Sequence, residues 1–309
     1  MKKALVVGAN GFIGKHLCDE LLNSGYSVVA ADRSFKSDHY SIEKNISREV
    51  LDVTKVNDFS DYLHGVDVVF YLVCTLLPQE SNEKPILDIE SNLIPVIRLL
   101  EAARINKKTR VVFASSGGTV YGLSQNAAMD ENSPTEPKCS YGIVKLTIEK
   151  YMKLYQSLYG VKTVCLRISN PFGPGQDPNR PQGAVGVFLH KILADKPITI
   201  WGDGTIVRDY VFVIDVVKAF ILAADYEGDS CIFNIGSGIG TSLNDLINLL
   251  FKITGKSVSV ERLSNRGLDV KHNVLSIDLA QNVLGWEPTV SLLDGVELVC
   301  SSLKEDYSL

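Results

Sequence analysis

A glycine-rich turn at residues 8–14 limits the folds open to this chain more than any other feature. It lies directly between an apolar run at residues 4–7, typical of a buried parallel strand, and a helical pattern at residues 12–23. Its three glycines permit a tight turn, and the helix that follows offers N–H groups and partial positive charge to a pyrophosphate. The sequence therefore predicts a βαβ unit that binds a dinucleotide.

An acidic residue follows this turn at the distance that such a unit requires. Residues 27–31 form the next predicted strand, and Asp32 ends it. A carboxylate there accepts hydrogen bonds from the adenosine ribose hydroxyls and repels a 2′-phosphate, which favours NAD over NADP. The neighbouring Arg33 leaves NADP open as the alternative, because a cation at this position tolerates a 2′-phosphate.

Strand and helix patterns alternate through the first half of the chain. Further strands are predicted at residues 66–71, 110–114 and 161–168, and helices at residues 56–63, 86–106 and 140–159. Such alternation is typical of a parallel sheet with helices on both faces.

The texture of the sequence changes after residue 170. Residues 171–181 are rich in proline and glycine, and neither a helix nor a strand can run through them. Beyond them, helices are predicted at residues 185–194, 214–224, 242–254 and 277–284, and a strand at residues 198–201. We predict an α/β fold in which a Rossmann-type doubly wound parallel sheet (residues 1–170) is joined to a smaller C-terminal substrate-binding lobe (residues 171–309). The boundary is expected to be interleaved, because the first domain receives a strand or helix back from the later chain.

One predicted helix carries a tyrosine and a lysine four residues apart, Tyr141 and Lys145. At this spacing both side chains lie on the same face of the helix. An ammonium near a phenol stabilises the phenolate and lowers the tyrosine pKa from its usual value near ~10. Such a tyrosine acts as a general base towards a sugar or alcohol hydroxyl. The alternative is a surface lysine beside a half-buried tyrosine.

Charge and residue spacing exclude several classes of function. The 31 basic and 36 acidic residues give a formal net charge of −5, which argues against a nucleic-acid-binding surface or a polybasic membrane patch. No apolar run has the length of about 18–20 residues that a membrane helix needs. The six cysteines and five histidines are scattered, so we expect reduced thiols, no metal site and a cytoplasmic protein.

Several segments together resemble the extended short-chain dehydrogenase/reductases, and most closely the nucleotide-sugar (UDP-galactose type) 4-epimerases. The resemblance covers nearly the whole chain and includes the glycine turn, the Tyr141–Lys145 pair and residues 114–122, which resemble the family's SS-x-x-x-VYG segment. It implies NAD as the cofactor. The implied cofactor-binding residues are Gly8, Gly11, Phe12, Ile13, Gly14, Asp32, Arg33, Asp52, Val53, Leu72, Val73, Asn92, Ser115, Tyr141, Lys145 and Pro171.

The resemblance continues into the C-terminal lobe. Residues 166–173 resemble the family's LR-x-x-N-P-x-G segment, and residues 207–213 resemble its VRDY-x-x-V segment. It implies that the substrate-binding residues are Asn170, Trp201, Arg208, Arg266 and Asp269. Two guanidinium groups suit a pyrophosphate that must be held and desolvated.

The sequence departs from the family at Gly117, where a serine or threonine usually hydrogen-bonds the reacting sugar hydroxyl. Ser116 and Thr119 flank this position, and we expect Thr119 to replace the missing hydroxyl. The acidic residues that the related dehydratases and decarboxylases carry here are also absent, since residues 118 and 119 are glycine and threonine. Elimination and decarboxylation therefore lack their acid.

These observations predict an NAD-dependent nucleotide-sugar 4-epimerase, which oxidises and reduces the sugar reversibly at its 4-position. The expected substrate is a UDP-hexose or a UDP-N-acetylhexosamine. The alternative is an NAD(P)H-dependent reductase of 4-keto nucleotide sugars, and a third hypothesis is a non-catalytic NAD-sensing protein. The resemblance also implies a homodimer, in which residues 89–105 and 140–159 of each subunit form a four-helix bundle.

Overall fold

The computed structural model describes residues 1–35, 45–123, 128–177, 183–264 and 270–306. The chain divides into two compact units. The first comprises Met1–Val120, Pro134–Arg167 and Val217–Phe233. The second comprises Tyr121–Ser133, Ile168–Val216 and Asn234–Leu309. Each unit is therefore built from three segments, and the change after residue 167 lies close to the predicted boundary at residue 170.

A seven-stranded sheet forms the centre of the first unit. Its strands are β1 (Lys3–Val7), β2 (Ser27–Asp32), β3 (Ile46–Val50), β4 (Val68–Tyr71), β5 (Arg110–Ser116), β6 (Thr163–Ile168) and β10 (Ile232–Ile235), in the spatial order β10-β6-β5-β4-β1-β2-β3. Strand β1 pairs in parallel with both β2 and β4, so the strand order turns at β1. In doubly wound sheets, ligands bind at the carboxyl ends of the strands beside such a turning point. The predicted Rossmann-type parallel sheet is confirmed.

Helices cover this sheet and bury its apolar strands. Helices α1 (Phe12–Asn23), α4 (Ile94–Asn106) and α5 (Ser140–Tyr159) pack on its strands, whereas α2 (Pro78–Glu83) and α3 (Pro85–Asp88) pack on α5. Strand β4 is buried along its whole length, as a strand covered on both faces must be. One core cluster joins residues of the strands to residues of α4 and α5. The predicted bounds of α1 and α5 are confirmed.

Two predicted helices of this unit differ in the structure. Residues 56–63 form only a 3₁₀ turn at Asp61–Leu63, because the Asp58 carboxylate accepts hydrogen bonds from the backbone and hydroxyl of Ser60 and competes with a helix. Residues 86–106 are helical throughout, as predicted, but a π-helical turn at Ile89–Leu93 separates α3 from α4. Pro95 lacks the N–H that would continue an α-helical ladder, which accounts for the interruption at this point.

The second unit contains smaller sheets and its own core. Strand β9 (Val207–Phe212) pairs with β7 (Asn170–Phe172), β11 (Gly240–Ser242) and β13 (His272–Asn273), and β8 (Ile198–Trp201) pairs with β12 (Val260–Leu263). Helices α6 (Ala184–Leu193), α8 (Leu243–Thr254) and α9 (Leu292–Asp306) contribute to one apolar cluster. Helix α7 (Val213–Asp225) follows β9 directly, and from Val217 onward it belongs to the first unit. The predicted helix at residues 277–284 is a π-helical turn, Ala280–Leu284.

Within the described segments, no helix combines the length and the apolar character needed to cross a membrane.

Candidate active site

The glycine turn after β1 has the geometry that a dinucleotide-binding turn requires. Gly8 has a φ of +97°, which L side chains rarely adopt. A Cβ on Gly14 would lie 2.2 Å from the carbonyl oxygen of Gly8 and 2.8 Å from the Cα of Ala9. No side chain caps the N-terminus of α1, which begins at Phe12. The turn therefore leaves the backbone at the helix N-terminus accessible to a phosphate, and it fits the predicted cofactor.

Asp32 lies at the end of β2 and braces this turn. Its Oδ2 accepts a hydrogen bond from the backbone N–H of Asn10 at 2.9 Å. The side-chain amide of Asn10 in turn donates to the carbonyl of Ser34 at 2.8 Å. Arg33 is exposed beside Asp32. The structure thus brings Asp32 to the glycine turn, where its carboxylate also stabilises the loop.

Asp52 and Val53 follow β3. The Asp52 carboxylate accepts hydrogen bonds from the backbone and hydroxyl of Thr54, at 3.1 and 2.7 Å, and these bonds hold its pKa below the usual range. Val53 is buried in the core of the first unit. Of these two implied cofactor-binding residues, Asp52 is therefore fixed by its own turn and Val53 packs into the core.

The loop after β4 packs on the glycine turn. A Cβ on Gly8 would lie 3.3 Å from backbone atoms of Leu72 and Val73, so these two residues approach the turn closely. Asn92 is buried in the π-helical turn, and its Oδ1 accepts a hydrogen bond from the backbone N–H of Thr75 at 3.0 Å. The structure therefore brings Asn92 to the loop at the carboxyl end of β4.

Lys145 is buried against the end of β5. Its Nζ donates a hydrogen bond to the carbonyl of Ala114 at 2.7 Å and lies 4.4 Å from the ring centroid of Phe113. The same Nζ lies 5.6 Å from the ring centroid of Tyr141. Burial lowers the pKa of Lys145, while the buried carboxylates of Asp88 and Glu149 act in the opposite direction. The pair predicted from its helical spacing is therefore together in the structure.

The pKa of Tyr141 differs from the expectation. In the protein alone, burial of its hydroxyl raises this pKa well above the usual value, and the hydrogen bond with Ser116 only partly opposes the rise. Desolvation penalises the phenolate more than its neighbours stabilise it. A cationic group beside the hydroxyl would favour the phenolate, and a nicotinamide ring in its oxidised form carries such a charge.

Two hydroxyls near Tyr141 have different surroundings. Ser116 hydrogen-bonds Tyr141, whereas the Oγ1 of Thr119 is buried and has no hydrogen-bond partner among the described residues. The carbonyl of Thr119 lies 2.8 Å from where a Cβ on Gly142 would be, so Thr119 packs against the first turn of α5. We expected Thr119 to replace the hydroxyl missing at Gly117. Ser116 hydrogen-bonds the tyrosine in this structure, and the hydroxyl of Thr119 has no partner among the described residues, so the choice of Thr119 stays a prediction.

A buried ion pair lies one helical turn beyond Lys145. Arg167 at the end of β6 contacts Glu149 through Nη2 at 2.7 Å and through Nε at 3.1 and 3.2 Å. Ser115 donates to the same carboxylate at 2.5 Å, so its hydroxyl faces the core and not a ligand. Glu149 was not predicted from the sequence, although a carboxylate four residues after Lys145 on the same helix face was a usable signal.

The second unit contains the predicted substrate-binding residues. Asn170 donates from its side chain to the carbonyl of Asp209 at 3.0 Å, and Arg208 donates to the carbonyls of Val207 and Val270 at 2.9 and 2.7 Å. Trp201 ends β8 and is 37% exposed. Pro171 lies in β7, which pairs with β9. Arg266 and Asp269 lie outside the described residues.

The buried carboxylate of Asp209 was not predicted from the sequence either. It accepts hydrogen bonds from the backbone N–H groups of Ser237 at 2.7 Å, Gly238 at 3.2 Å and Leu275 at 3.2 Å. Burial raises the pKa of Asp209 against these bonds. Asp209 thereby joins three segments of the second unit directly beside Arg208.

Comparison with known proteins agrees with these observations. A UDP-glucose 4-epimerase of Mycolicibacterium smegmatis is 33% identical over 300 residues, covering 95% of this chain and 96% of the relative. A dTDP-4-dehydro-6-deoxyglucose reductase of Escherichia coli is 33% identical over 310 residues, covering 97% of each. The crystal structure of a UDP-glucose 4-epimerase with UDP-glucose from Thermotoga maritima has a TM-score of 0.92 at 33% identity, covering 99% of both chains.

The family model described as the NAD dependent epimerase/dehydratase family matches residues 4–236, which is well over half of the chain. That span includes the glycine turn, Asp32, and the Tyr141–Lys145 pair. The chain therefore belongs to the NAD dependent epimerase/dehydratase family and is an NAD-dependent enzyme of the epimerase type.

Proposed function

We propose that this enzyme is a UDP-sugar 4-epimerase. The observation that carries the proposal is the arrangement around Tyr141: its hydroxyl bonds Ser116, and its ring lies 5.6 Å from the Lys145 ammonium in the unit that contains the dinucleotide turn. The UDP-glucose 4-epimerase relatives, which match along nearly the whole chain, support the same reaction.

In this proposal Tyr141 moves one proton at its phenolic oxygen. As a phenolate it takes the proton from the 4-hydroxyl of the sugar, and it returns that proton when the 4-keto group is reduced on the opposite face. NAD, when bound, would supply reversible hydride acceptance from carbon 4, so the overall reaction would involve no net oxidation. The ammonium of Lys145 places a positive charge near the phenolate. It has three N–H donors, and among the described residues only the carbonyl of Ala114 accepts a hydrogen bond from it.

The hydroxyl groups near Tyr141 orient the reacting oxygen. Ser116 hydrogen-bonds Tyr141 in the free enzyme, and it would hydrogen-bond the sugar 4-hydroxyl instead when the substrate binds. Thr119 has a buried Oγ1 without a partner among the described residues, and a sugar hydroxyl would satisfy it. Both hydroxyls therefore substitute for the side chain that Gly117 lacks.

The nucleotide part of the substrate is assigned to the second unit. Arg208 pairs with the diphosphate, because a guanidinium matches phosphate oxygens bidentately. Trp201 presents an exposed indole face on which a base can stack. Asn170 contacts the diphosphate, and Arg266 and Asp269 complete the set by the family resemblance. UDP is the expected nucleotide.

A second candidate is a reductase of 4-keto nucleotide sugars. The E. coli relative named dTDP-4-dehydro-6-deoxyglucose reductase favours it, because it matches this chain as well as the epimerase relatives do. Both reactions use Tyr141 and Lys145 in the same way. The cofactor separates them: an epimerase regenerates NAD⁺ and retains it through purification, whereas a reductase exchanges it after each turnover.

Proton NMR tests the two candidates directly. The purified enzyme is incubated without added cofactor with UDP-glucose, UDP-galactose, UDP-GlcNAc, UDP-GalNAc or UDP-glucuronic acid, and the anomeric signals are followed. We expect one of them to convert to its 4-epimer. Conversion of none, even with added NAD⁺, would refute the epimerase and make 4-keto sugars with NAD(P)H the next substrates.

The Tyr141→Phe variant tests the base. We expect turnover to fall by about 1,000-fold or more, while binding of the nucleotide sugar changes only a few-fold, because the phenyl ring keeps its packing and loses only the proton-carrying oxygen. Near-normal activity of this variant would remove Tyr141 from the base role.

A homodimer is the assembly that we propose. Helices α4 and α5 present exposed apolar side chains, at Ile105, Ile143, Leu154 and Leu158. A second copy of the same pair of helices would cover them in a four-helix bundle. Light scattering should give twice the 33.9 kDa chain mass, and Leu158→Glu should shift it to the monomer. A monomeric wild-type protein would refute this assembly.

A further inference from the structure

The helix that carries Tyr141 and Lys145 is not capped by its own sequence. Cys139, the residue before the first turn of α5, makes no side-chain hydrogen bond to the helix. The first N–H groups of a helix need acceptors from outside it. On α5 these acceptors come from side chains more than 50 residues earlier in the chain.

Helix α2 supplies two of these acceptors. The backbone N–H of Ser140 donates to Oδ1 of Asn82 at 2.9 Å, and the backbone N–H of Tyr141 donates to Oγ of Ser81 at 3.0 Å. Ser81 is fully buried and also donates to the carbonyl of Pro78 at 2.8 Å. The N-terminus of the helix with the reacting tyrosine is therefore fixed by a neighbouring helix.

A buried carboxylate supplies the third tie. Asp88, at the end of α3, has no solvent exposure. Its Oδ2 accepts a hydrogen bond from the hydroxyl of Ser140 at 2.7 Å, and its Oδ1 accepts one from the side-chain amide of Asn92 at 2.8 Å. One carboxylate thus joins the first residue of α5 to Asn92 in the π-helical turn.

The chain of hydrogen bonds continues to the sheet. The amide of Asn92 also donates to Oγ1 of Thr75 at 2.8 Å, and the backbone N–H of Thr75 donates back to Asn92 at 3.0 Å. Thr75 lies in the loop after β4, whose first residues approach the glycine turn. A series of hydrogen bonds therefore runs from Thr75 in the loop after β4 through Asn92 and Asp88 to Ser140, the residue next to Tyr141.

We propose that Asp88 is a positioning residue for the epimerase reaction, which holds the first turn of α5 and the loop after β4 in one fixed register. The inference rests on the proposed function for the identity of the reaction. Its physical basis is that a proton-transferring oxygen must stay within hydrogen-bond distance of the sugar hydroxyl, and a small displacement lowers the rate steeply. Fully bonded buried polar groups give such rigidity.

The charge of Asp88 has a second consequence, on the titration of Tyr141. The titratable groups around this tyrosine are Cys74 after β4, Asp88 on α3, Cys139 before α5 and Lys145 on α5 itself. The carboxylate of Asp88 disfavours the phenolate, so it raises the pKa of Tyr141. Removal of this charge alone should therefore move the acid limb of the kcat–pH profile to lower pH.

Two substitutions of Asp88 separate the effect of its hydrogen bonds to Ser140 and Asn92 from the effect of its charge. In Asp88→Asn the amide oxygen can accept from Asn92, and the amide nitrogen can donate to the hydroxyl of Ser140, so both bonds are kept while the charge is lost. In Asp88→Ala both are lost. We expect D88A to lower kcat by about 30- to 100-fold with KM within about 3-fold of wild type. We expect D88N to stay within about 3-fold in kcat and to show the shift of the acid limb.

A double-mutant cycle tests whether the tie to Ser140 carries the effect. Ser140→Ala removes the same bond from the side of the helix, so D88A and S140A combined should lower kcat no further than about 2-fold beyond D88A alone. Additive losses would overturn the proposal. Ser157→Ala is the matched control, since this exposed serine of α5 bonds only the carbonyl of Lys153 and should leave kcat unchanged.

Amide hydrogen exchange tests the positioning role of Asp88 without any sugar substrate. The amides of residues 138–146 should exchange faster in D88A than in wild type, D88N or S157A. If wild type converts no UDP-sugar, the proposed function fails while this measurement still tests the tie. Unchanged exchange in D88A, or a kcat of D88A within about 3-fold of wild type, would refute the positioning role. If D88A does not fold, S140A removes the same bond to Ser140 and gives the test, with D88N as the variant that keeps the bond.

Discussion

Two buried cations in the first unit have opposite surroundings, and the contrast separates structure from chemistry. Arg167 makes three contacts with Glu149, and Ser115 bonds the same carboxylate. Lys145 lies one turn before Glu149 on α5, yet among the described residues it forms no ion pair, only a bond to the carbonyl of Ala114. A cation with a paired counter-charge stabilises the fold, whereas one with unused donors is available to a ligand.

This difference has an energetic reason. A buried ammonium without a carboxylate partner costs desolvation energy, which is why burial lowers the pKa of Lys145. The aromatic ring of Phe113 compensates in part through its cation–π contact. For stability alone, such a lysine would be paired with a carboxylate or replaced by an apolar residue. In the proposed reaction this cost is offset by the function of the ammonium beside Tyr141.

The largest expected effect is on stability, and it comes from breaking the Arg167–Glu149 ion pair. Glu149→Ala leaves the Arg167 guanidinium buried and unpaired, and we expect the free energy of unfolding to fall by about 3–5 kcal/mol. Urea denaturation followed by circular dichroism measures it.

A matched control replaces both partners at once. Glu149→Leu combined with Arg167→Met removes the two charges together and should recover most of the lost stability. If the double variant is as unstable as Glu149→Ala, packing at this position and not the unpaired charge explains the loss.

Lys145→Met tests the catalytic half of the contrast. The methionine retains much of the apolar stem and removes the ammonium, so we expect kcat to fall by about 100- to 1,000-fold. The free energy of unfolding should change little or rise, because a buried unpaired charge is lost. Steady-state kinetics and urea denaturation of the same preparation measure both. A large loss of stability would show that Lys145 is structural, as Arg167 is.

The same contrast explains what the sequence predicted and what it did not. The glycine turn, Asp32 and the Tyr141–Lys145 pair were predictable, because their chemistry depends on residue type and on spacing along one strand or helix. Glu149, Asp88 and Asp209 were not recognised, because their partners are distant in sequence. The short strands β7, β11 and β13 were also missed, since two or three residues carry no period. The choice between Ser116 and Thr119 stays a prediction, because spacing does not reveal which hydroxyl faces the sugar.

The pH dependence sharpens the contrast further. Burial raises the pKa of Tyr141, so kcat should rise with pH through the acid limb as the phenolate forms. Loss of the nearby cation in Lys145→Met disfavours the phenolate further, and the acid limb should move to higher pH. The opposite shift is expected for Asp88→Asn, which removes a negative charge. A Lys145→Met limb that does not move would mean that the ammonium has no influence on this proton.

The smallest expected effect concerns the two hydroxyls around the tyrosine. Ser116 already bonds Tyr141, and its loss in Ser116→Ala removes a partner that favours the phenolate, so we expect kcat to fall by about 10-fold and the acid limb to move to higher pH.

Thr119→Val keeps the side-chain shape and removes an Oγ1 that has no partner among the described residues, so the free enzyme should be as stable or more stable. If Thr119 binds the sugar, its loss appears in the steady-state constants for the sugar and not in the pH profile. Equal pH shifts in both variants would instead mean that both hydroxyls contact the tyrosine. If neither variant had an effect, neither hydroxyl would replace the side chain missing at Gly117, and the backbone would have to bind the sugar hydroxyl.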